Sequence, residues 1–278
     1  MKFRLTLVLA VAVALFGVAT PASADDSSSV HYYLSLGDSL AESFQPNGVF
    51  DQGYAEQLYA ELKAQDVTLK LVKLGCGGES TESMQVGSLP PAAGASCGSP
   101  DFYQHTYPHK TQLAEAVSFL KAHAKHVSLV TIDIGGNDVG ACVAALDVGC
   151  FNAGLAGVQT HLPRILAALR GAAGPDVPIV GMTYYDPFSV FWFASPAAGE
   201  AADDLVGALN SALDRIYATA GATVAQVDDA FAVGTFPASA LNACQWTWMC
   251  AAPPLGPDIH PNTAGYGVIA RAFEAALP

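Results

Sequence analysis

The sequence predicts a single three-layer α/β/α domain on a mainly parallel sheet, and three observations carry that expectation. Strand-like runs alternate with helical apolar spacing along the chain. Several strands are uninterrupted apolar runs, such as Val127 to Ile134, as expected of strands buried on both faces. The 278 residues contain no internal repeat and no linker long enough to divide them, and one core can serve a chain of roughly this size.

The elements follow in order. Val30 to Leu36 is β-rich and stops at Gly37. Tyr54 to Ala64 has helical spacing, and Val67 to Leu74 reads as a second strand ended by glycine. Residues 75–108 are rich in Gly, Ser and Pro and predict an irregular excursion. Gln112 to His123 predicts a helix, Val127 to Ile134 a buried strand, and Ala156 to Arg170 another helix. Val177 to Thr183 is a strand, Ala201 to Thr219 a helix, Val224 to Val227 a short strand, and Asn262 to Leu277 a closing helix.

The first segment stands outside this pattern. Lys2 and Arg4, an apolar run from Leu5 to Ala19 and an Ala-Ser-Ala end at residues 22–24 have the layout of an export signal. The apolar run is shorter than the ~20 residues that span a bilayer. Cleavage is expected after Ala24, giving a signal peptide over residues 1–24, a domain over 25–278 and a secreted product. Loss of the two bases takes the formal charge from −13 to −15. Twelve basic against twenty-five acidic residues exclude a nucleic-acid partner, which needs a cationic face. No later run is apolar enough to span a membrane, and a monomer is expected. In an oxidising compartment an even number of cysteines suggests disulfides. The six fall into three local couples, Cys76–Cys97, Cys142–Cys150 and Cys244–Cys250, and sequential pairing is expected. No Cys-x-x-Cys supports zinc.

In parallel sheets ligands bind beyond the carboxyl ends of the strands, and polar chemistry gathers there. Leu36-Gly37-Asp38-Ser39-Leu40 puts a serine on a tight strand-to-helix turn, either as a nucleophile or as part of a helix cap. Leu74 to Thr81 includes Gly75, Gly77 and Gly78, whose backbone N–H groups suit an anion; the alternative is a turn pinned by a disulfide. Gly135-Gly136-Asn137-Asp138 offers a carboxamide donor for an oxyanion, or a helix cap. Pro257-Asp258-Ile259-His260-Pro261-Asn262 aims an imidazole from a proline-fixed loop, where it could deprotonate Ser39.

The order Ser, Gly, Asn, His across these four blocks resembles the SGNH, or GDSL, hydrolases. The matching segments are GDS at 37–39, GGES at 77–80, GGND at 135–138 and DIHPN at 258–262. The resemblance spans nearly all of the chain after the leader. It implies a flavodoxin-like fold and hydrolysis of carboxylic esters through a serine acyl-enzyme. It makes Ser39 the nucleophile, His260 the general base and acid, and Ser39, Gly78 and Asn137 the oxyanion hole. Three local disulfides are also similar to those of secreted bacterial lipases and esterases of this type. One position departs: the family commonly has its acid three residues before the histidine, where this chain has Pro257. The third member is then Asp258 or a backbone carbonyl. Alternatives of the same chemistry are a carbohydrate O-acetyl esterase and a phospholipase; an inactive cell-envelope binding module is the alternative of another class.

The expected partner is a small-molecule or lipid ester, with no cofactor. The histidine couples His105/His109 and His123/His126 read as solvated surface, so no metal is expected. Trp246 and Trp248, in the short loop between Cys244 and Cys250, and Trp192, among Phe188, Phe191 and Phe193, are candidates for a substrate wall. Core packing is the competing use of these rings.

Overall fold

The computed structural model describes residues 29–87, 107 and 109–278. The expected signal peptide, Cys97, His105 and most of the 88–108 stretch lie outside the described residues. Five strands form one sheet: β1 (His31–Gly37), β2 (Leu69–Lys73), β3 (Val127–Asp133), β4 (Ile179–Met182) and β5 (Thr223–Ala225). All neighbours are parallel, in the order β2-β1-β3-β4-β5. This is the flavodoxin-like order, whose direction reverses between β1 and β3 and opens a crevice at their carboxyl ends.

The helices are α1 (Ser39–Glu42), α2 (Tyr54–Gln65), α3 (Ser83–Val86), α4 (Gln112–Ala122), α5 (Gly136–Ala144), α6 (Val148–Ala173), α7 (Pro196–Thr219), α8 (Val227–Phe231), α9 (Ala238–Trp246) and α10 (Thr263–Ala275). A 3-10 helix runs from Pro187 to Phe193. One layer is held by the packing of α2 on α10, with Tyr54 stacked on Phe273 at 4.7 Å between ring centres. On the other face α6 packs against α4 and α7. Between the layers the central strands are largely buried; in β3 only Ser128 is exposed and all four residues of β4 are buried. Burying each such aliphatic chain is worth ~1.5–3 kcal/mol, so β1 and β3 form a stiff platform for whatever follows them.

The structure extends two of the predicted helices and adds several short ones. α6 starts eight residues earlier than its apolar spacing indicates, because the Asp147 carboxylate caps it through the Cys150 N–H at 2.9 Å. α7 starts five residues earlier, where Ser195 caps it and Pro196 takes the first turn. The segments of α5 and α9 are rich in Gly, Ala and Ser, and they carry too few large apolar residues for helical spacing to stand out. Disulfides join Cys142 to Cys150 and Cys244 to Cys250, with Cα separations of 5.4 and 4.9 Å. Cys76 is disulfide-bonded, but its expected partner Cys97 lies outside the described residues. Among the described residues no helix is long and apolar enough to cross a membrane.

Candidate active site

The turn after β1 carries Ser39, and several distant residues set its shape. Gly37 sits at φ +135°, and a Cβ there would lie 2.1 Å from the Asp133 carbonyl oxygen, so only glycine fits. The Gln112 carboxamide brackets the same residue, accepting from the Gly37 N–H at 2.7 Å and donating to its carbonyl at 2.8 Å. It also donates to Glu79, which ties the first block to the second. Asp38 caps α1 by accepting from the Leu40 N–H at 2.9 Å, and it accepts the Tyr184 hydroxyl at 2.9 Å. Beneath the turn, the Asp133 carboxyl accepts from the N–H groups of Asp38 and Ala41 and from the Tyr54 hydroxyl. Burial pushes both carboxyls above the usual range. The neighbouring Asp38 charge and its hydrogen bond push Asp133 further in the same direction. Gln112, Asp133, Tyr54 and Tyr184 were not singled out from the sequence. The available signal was Asp133, a carboxylate ending an otherwise apolar buried strand.

The loop before α10 brings His260 to the serine. His260 Nε2 lies 2.9 Å from Ser39 Oγ, and Nδ1 lies 2.7 Å from Asp258 Oδ1. The same Asp258 oxygen accepts the His260 backbone N–H at 2.9 Å, so a side chain only two residues away folds back onto the ring. Partial burial alone would raise the Asp258 carboxyl. The hydrogen bonds and charge of His260 outweigh burial and hold it below the usual range. The loop is fixed by the Trp248 N–H, which donates to the His260 carbonyl at 2.9 Å, and by the Tyr185 hydroxyl, which donates to the Ile259 carbonyl at 2.9 Å. The carboxylate favours the tautomer with its proton on Nδ1. That leaves Nε2 free to take the Ser39 proton.

The other two blocks meet nearby. Asn137 lies in the first turn of α5, whose start is set by Gly135 at φ +117° rather than by an Asn cap. Its carboxamide donates to the Glu79 carbonyl at 3.0 Å. Asp138 accepts the N–H and hydroxyl of Thr81 at 2.9 and 2.5 Å, locking the second block to the third. Ser39, Asn137 and His260 line one crevice of about 210 Å³, whose apolar side includes Val139, Val143, Phe188, Val206 and Leu209. Gly78 adopts φ +75° one residue before the Asn137 acceptor, but it does not line that crevice.

The three tryptophans expected as walls lie elsewhere, a correction to the sequence reading. Trp192 donates its indole N–H to Asp203 at 2.8 Å and stacks on Phe236 at 4.9 Å. Trp246 packs edge-on against Phe231 and lines a separate groove beside Arg271. Trp248 touches the histidine loop through its backbone. Phe188, from the same aromatic run as Trp192, does line the crevice, together with Tyr184 and Tyr185.

Phe188 has an acid pair behind it. Asp186 caps the 3-10 helix through the Phe188 N–H at 2.8 Å, and its carboxyl meets that of Asp203. Burial, then the hydrogen bond to Asp203, push Asp186 up to about 8. Its folded state thus keeps a proton that the unfolded chain loses near pH 4, so this group favours folding most at acidic pH. The advantage declines as pH rises towards 8, by at most ~1.4 kcal/mol per pH unit. Asp186→Asn supplies a permanent donor to Asp203, so its melting temperature is expected to fall less than wild type between pH 5 and 8. Parallel melting curves across that range check this; identical slopes would refute the shared proton.

Comparisons with known proteins follow this geometry. Residues 35–268 match the GDSL-like lipase/acylhydrolase family. Solved structures with the same fold include a lipase from a goat rumen metagenome: 17% identity, TM-score 0.59, with 89% of this chain and 97% of that one covered. Phospholipase A1 from Streptomyces albidoflavus NA297 is similar at 18% identity and TM-score 0.59, over 90% and 100% of the two chains. An acetylxylan esterase from Geobacillus stearothermophilus follows at 16% identity and TM-score 0.54, over 88% and 93%. No curated protein sequence matches. With four blocks ordered along it and the family match spanning most of its length, the chain belongs to the GDSL-like lipase/acylhydrolase family and is a carboxylic ester hydrolase.

Proposed function

We propose that this protein is a secreted lipase or esterase in which Ser39 is the nucleophile, His260 the proton carrier and Asp258 its orienting carboxylate. The observation that carries the reading is the chain of contacts from Ser39 Oγ through His260 to Asp258, at 2.9 and 2.7 Å. Ser39 Oγ attacks the ester carbonyl while its proton passes to His260 Nε2. The tetrahedral oxyanion is met by the Ser39 N–H, which as the first of α1 has no partner within the helix, and by the second N–H of the Asn137 carboxamide; the family resemblance adds the amide of Gly78, the residue before the Glu79 carbonyl that holds Asn137. Collapse expels the alcohol, which takes the proton from His260. Water then attacks the acyl-enzyme, gives a proton to His260, and the acid leaves as Ser39 is reprotonated.

Asn137→Ala removes one donor aimed at developing charge. A loss of ~10²–10³ in kcat is expected, with KM for a soluble ester little changed. Steady-state kinetics decide it, and an unchanged kcat would remove Asn137 from the oxyanion hole. Export fits the basic-then-apolar leader, which would be cleaved after Ala24, and the two described disulfides. The crevice of about 210 Å³ is a little larger than the ~150 Å³ cavity that accepts benzene. It therefore suits acyl chains of short to medium length. A series of p-nitrophenyl esters should peak there, and a higher rate on acetylated xylan than on any of them would favour the carbohydrate esterase instead.

A further inference from the structure

Charge is spread unevenly over this chain. Charged residues make up 13% of it and the formal net charge is −13, yet no Asp, Glu, Lys, Arg or His occurs in the 28 residues from Ala230 to Pro257. None occurs in the 13 from Pro187 to Gly199 either. The fold brings these two segments together. The 3-10 helix packs on α9, Trp192 stacks on Phe236 at 4.9 Å, and Phe193 meets the same ring edge-on at 6.4 Å. The two segments expose large apolar side chains, Phe193 at 56%, Leu241 on α9 at 55% and Phe236 at 46%, and Ile259, directly before His260, is exposed at 40%. Among the described residues only three other large apolar side chains, Val67, Val86 and Val148, are comparably exposed. Isolated exposed apolar residues are ordinary; a group of them on an uncharged face calls for an occupant.

The face adjoins the crevice. Pro187 and Phe188 begin the first uncharged segment and line the cavity beside Ser39, as do Ile259 and His260. At the end of the second segment, Trp248 holds the His260 carbonyl. We propose that Phe193, Phe236 and Leu241, with Ile259 at the crevice, form a docking surface for a neutral or zwitterionic lipid–water interface, from which ester substrate reaches Ser39. Uncharged side chains enter such an interface without stripping water from an ion. Phenyl and aliphatic groups gain by leaving water, whereas sugar hydroxyls would find few donors or acceptors on them. The net negative charge disfavours an anionic surface. A second copy seated here would cover the crevice, which argues against self-association as the use of this face.

The proposal relies on the ester-hydrolase reading only for the identity of the substrate, so docking is measured without turnover. Full-length mature Ser39→Ala protein is sedimented with phosphatidylcholine vesicles, phosphatidylglycerol vesicles and insoluble acetylated xylan. Partition onto phosphatidylcholine is expected to exceed the other two and to change little with salt. Fluorescence should shift to the blue, since all three tryptophans, Trp192, Trp246 and Trp248, lie in the two uncharged segments. The pair Phe193→Ser and Leu241→Ser should cut partition by about ten-fold or more. The same pair on a Ser39 background should hydrolyse a soluble short-chain ester at close to the wild-type rate. Leu241→Asp, outside the Phe–Trp stack, repeats the test with minimal risk to folding. The proposal fails if partition onto phosphatidylcholine is undetectable or survives these substitutions. It also fails if phosphatidylglycerol or xylan is preferred, or if the unmodified face forms dimers that the substitutions dissociate.

Discussion

Ser39→Ala is expected to lower kcat for a soluble ester by ~10⁴–10⁶, with the folded state intact. Alanine keeps the turn, because Gln112 grips Gly37, Asp38 caps Leu40, and Asp133 accepts from the backbone of Asp38 and Ala41; none of these bonds uses the serine hydroxyl. What disappears is the hydroxyl oxygen, 2.9 Å from His260 Nε2, that would form the ester with the acyl group. Some residual rate over water would persist from oxyanion donors and crevice binding, as expected when a nucleophile alone is deleted. Stopped assays on purified protein, with matched melting curves, measure the drop. A loss smaller than about ten-fold would require a nucleophile other than Ser39.

Asp258→Asn is expected to lower kcat by ~10³–10⁴. Asp258 Oδ1 accepts from both Nδ1 and the backbone N–H of His260. An amide in its place can turn its NH₂ towards Nδ1, which moves the imidazole proton to Nε2 and leaves no base facing Ser39. Even in the other orientation, it lacks the charge that stabilises the imidazolium formed during attack. The side chain is about a quarter exposed, so the substitution should leave stability nearly unchanged. A kcat within a few-fold of wild type would mean that the carboxylate charge is dispensable and that the loop alone orients the ring. Comparison with a substitution at the exposed Asp51 controls for charge change in general.

The parts of this site legible in the sequence were those whose local pattern is strong. β1 and β3 are continuous apolar runs, and the four polar blocks follow strands or precede the last helix, so their order along the chain was visible without coordinates. The framework around them was not visible. Gln112 lies 75 positions from Gly37, Asp133 lies 95 from Asp38, and Tyr184 lies 146 from Asp38; no local spacing encodes such meetings. Asp258 illustrates an intermediate case. Its offset from His260 left two ways to orient the ring, and the chosen one depends on how the loop curls between Trp248 and Pro261. Trp246 and Trp248 misled because nearness in sequence to His260 suggested nearness of rings. Thr247 instead bridges Pro261 in antiparallel fashion, and the bond from Trp248 to the histidine loop is made by backbone.

The central claim is that the fold makes Ser39 a reactive nucleophile facing an ester-binding crevice. Incubation of the folded protein with an alkyl organophosphonate, followed by peptide mass spectrometry, tests this most directly. The structure predicts one adduct per chain, on the peptide carrying Ser39, formed in step with loss of esterase activity and absent after denaturation. Esterase activity that persists without an adduct, or an adduct on a different serine, would contradict it.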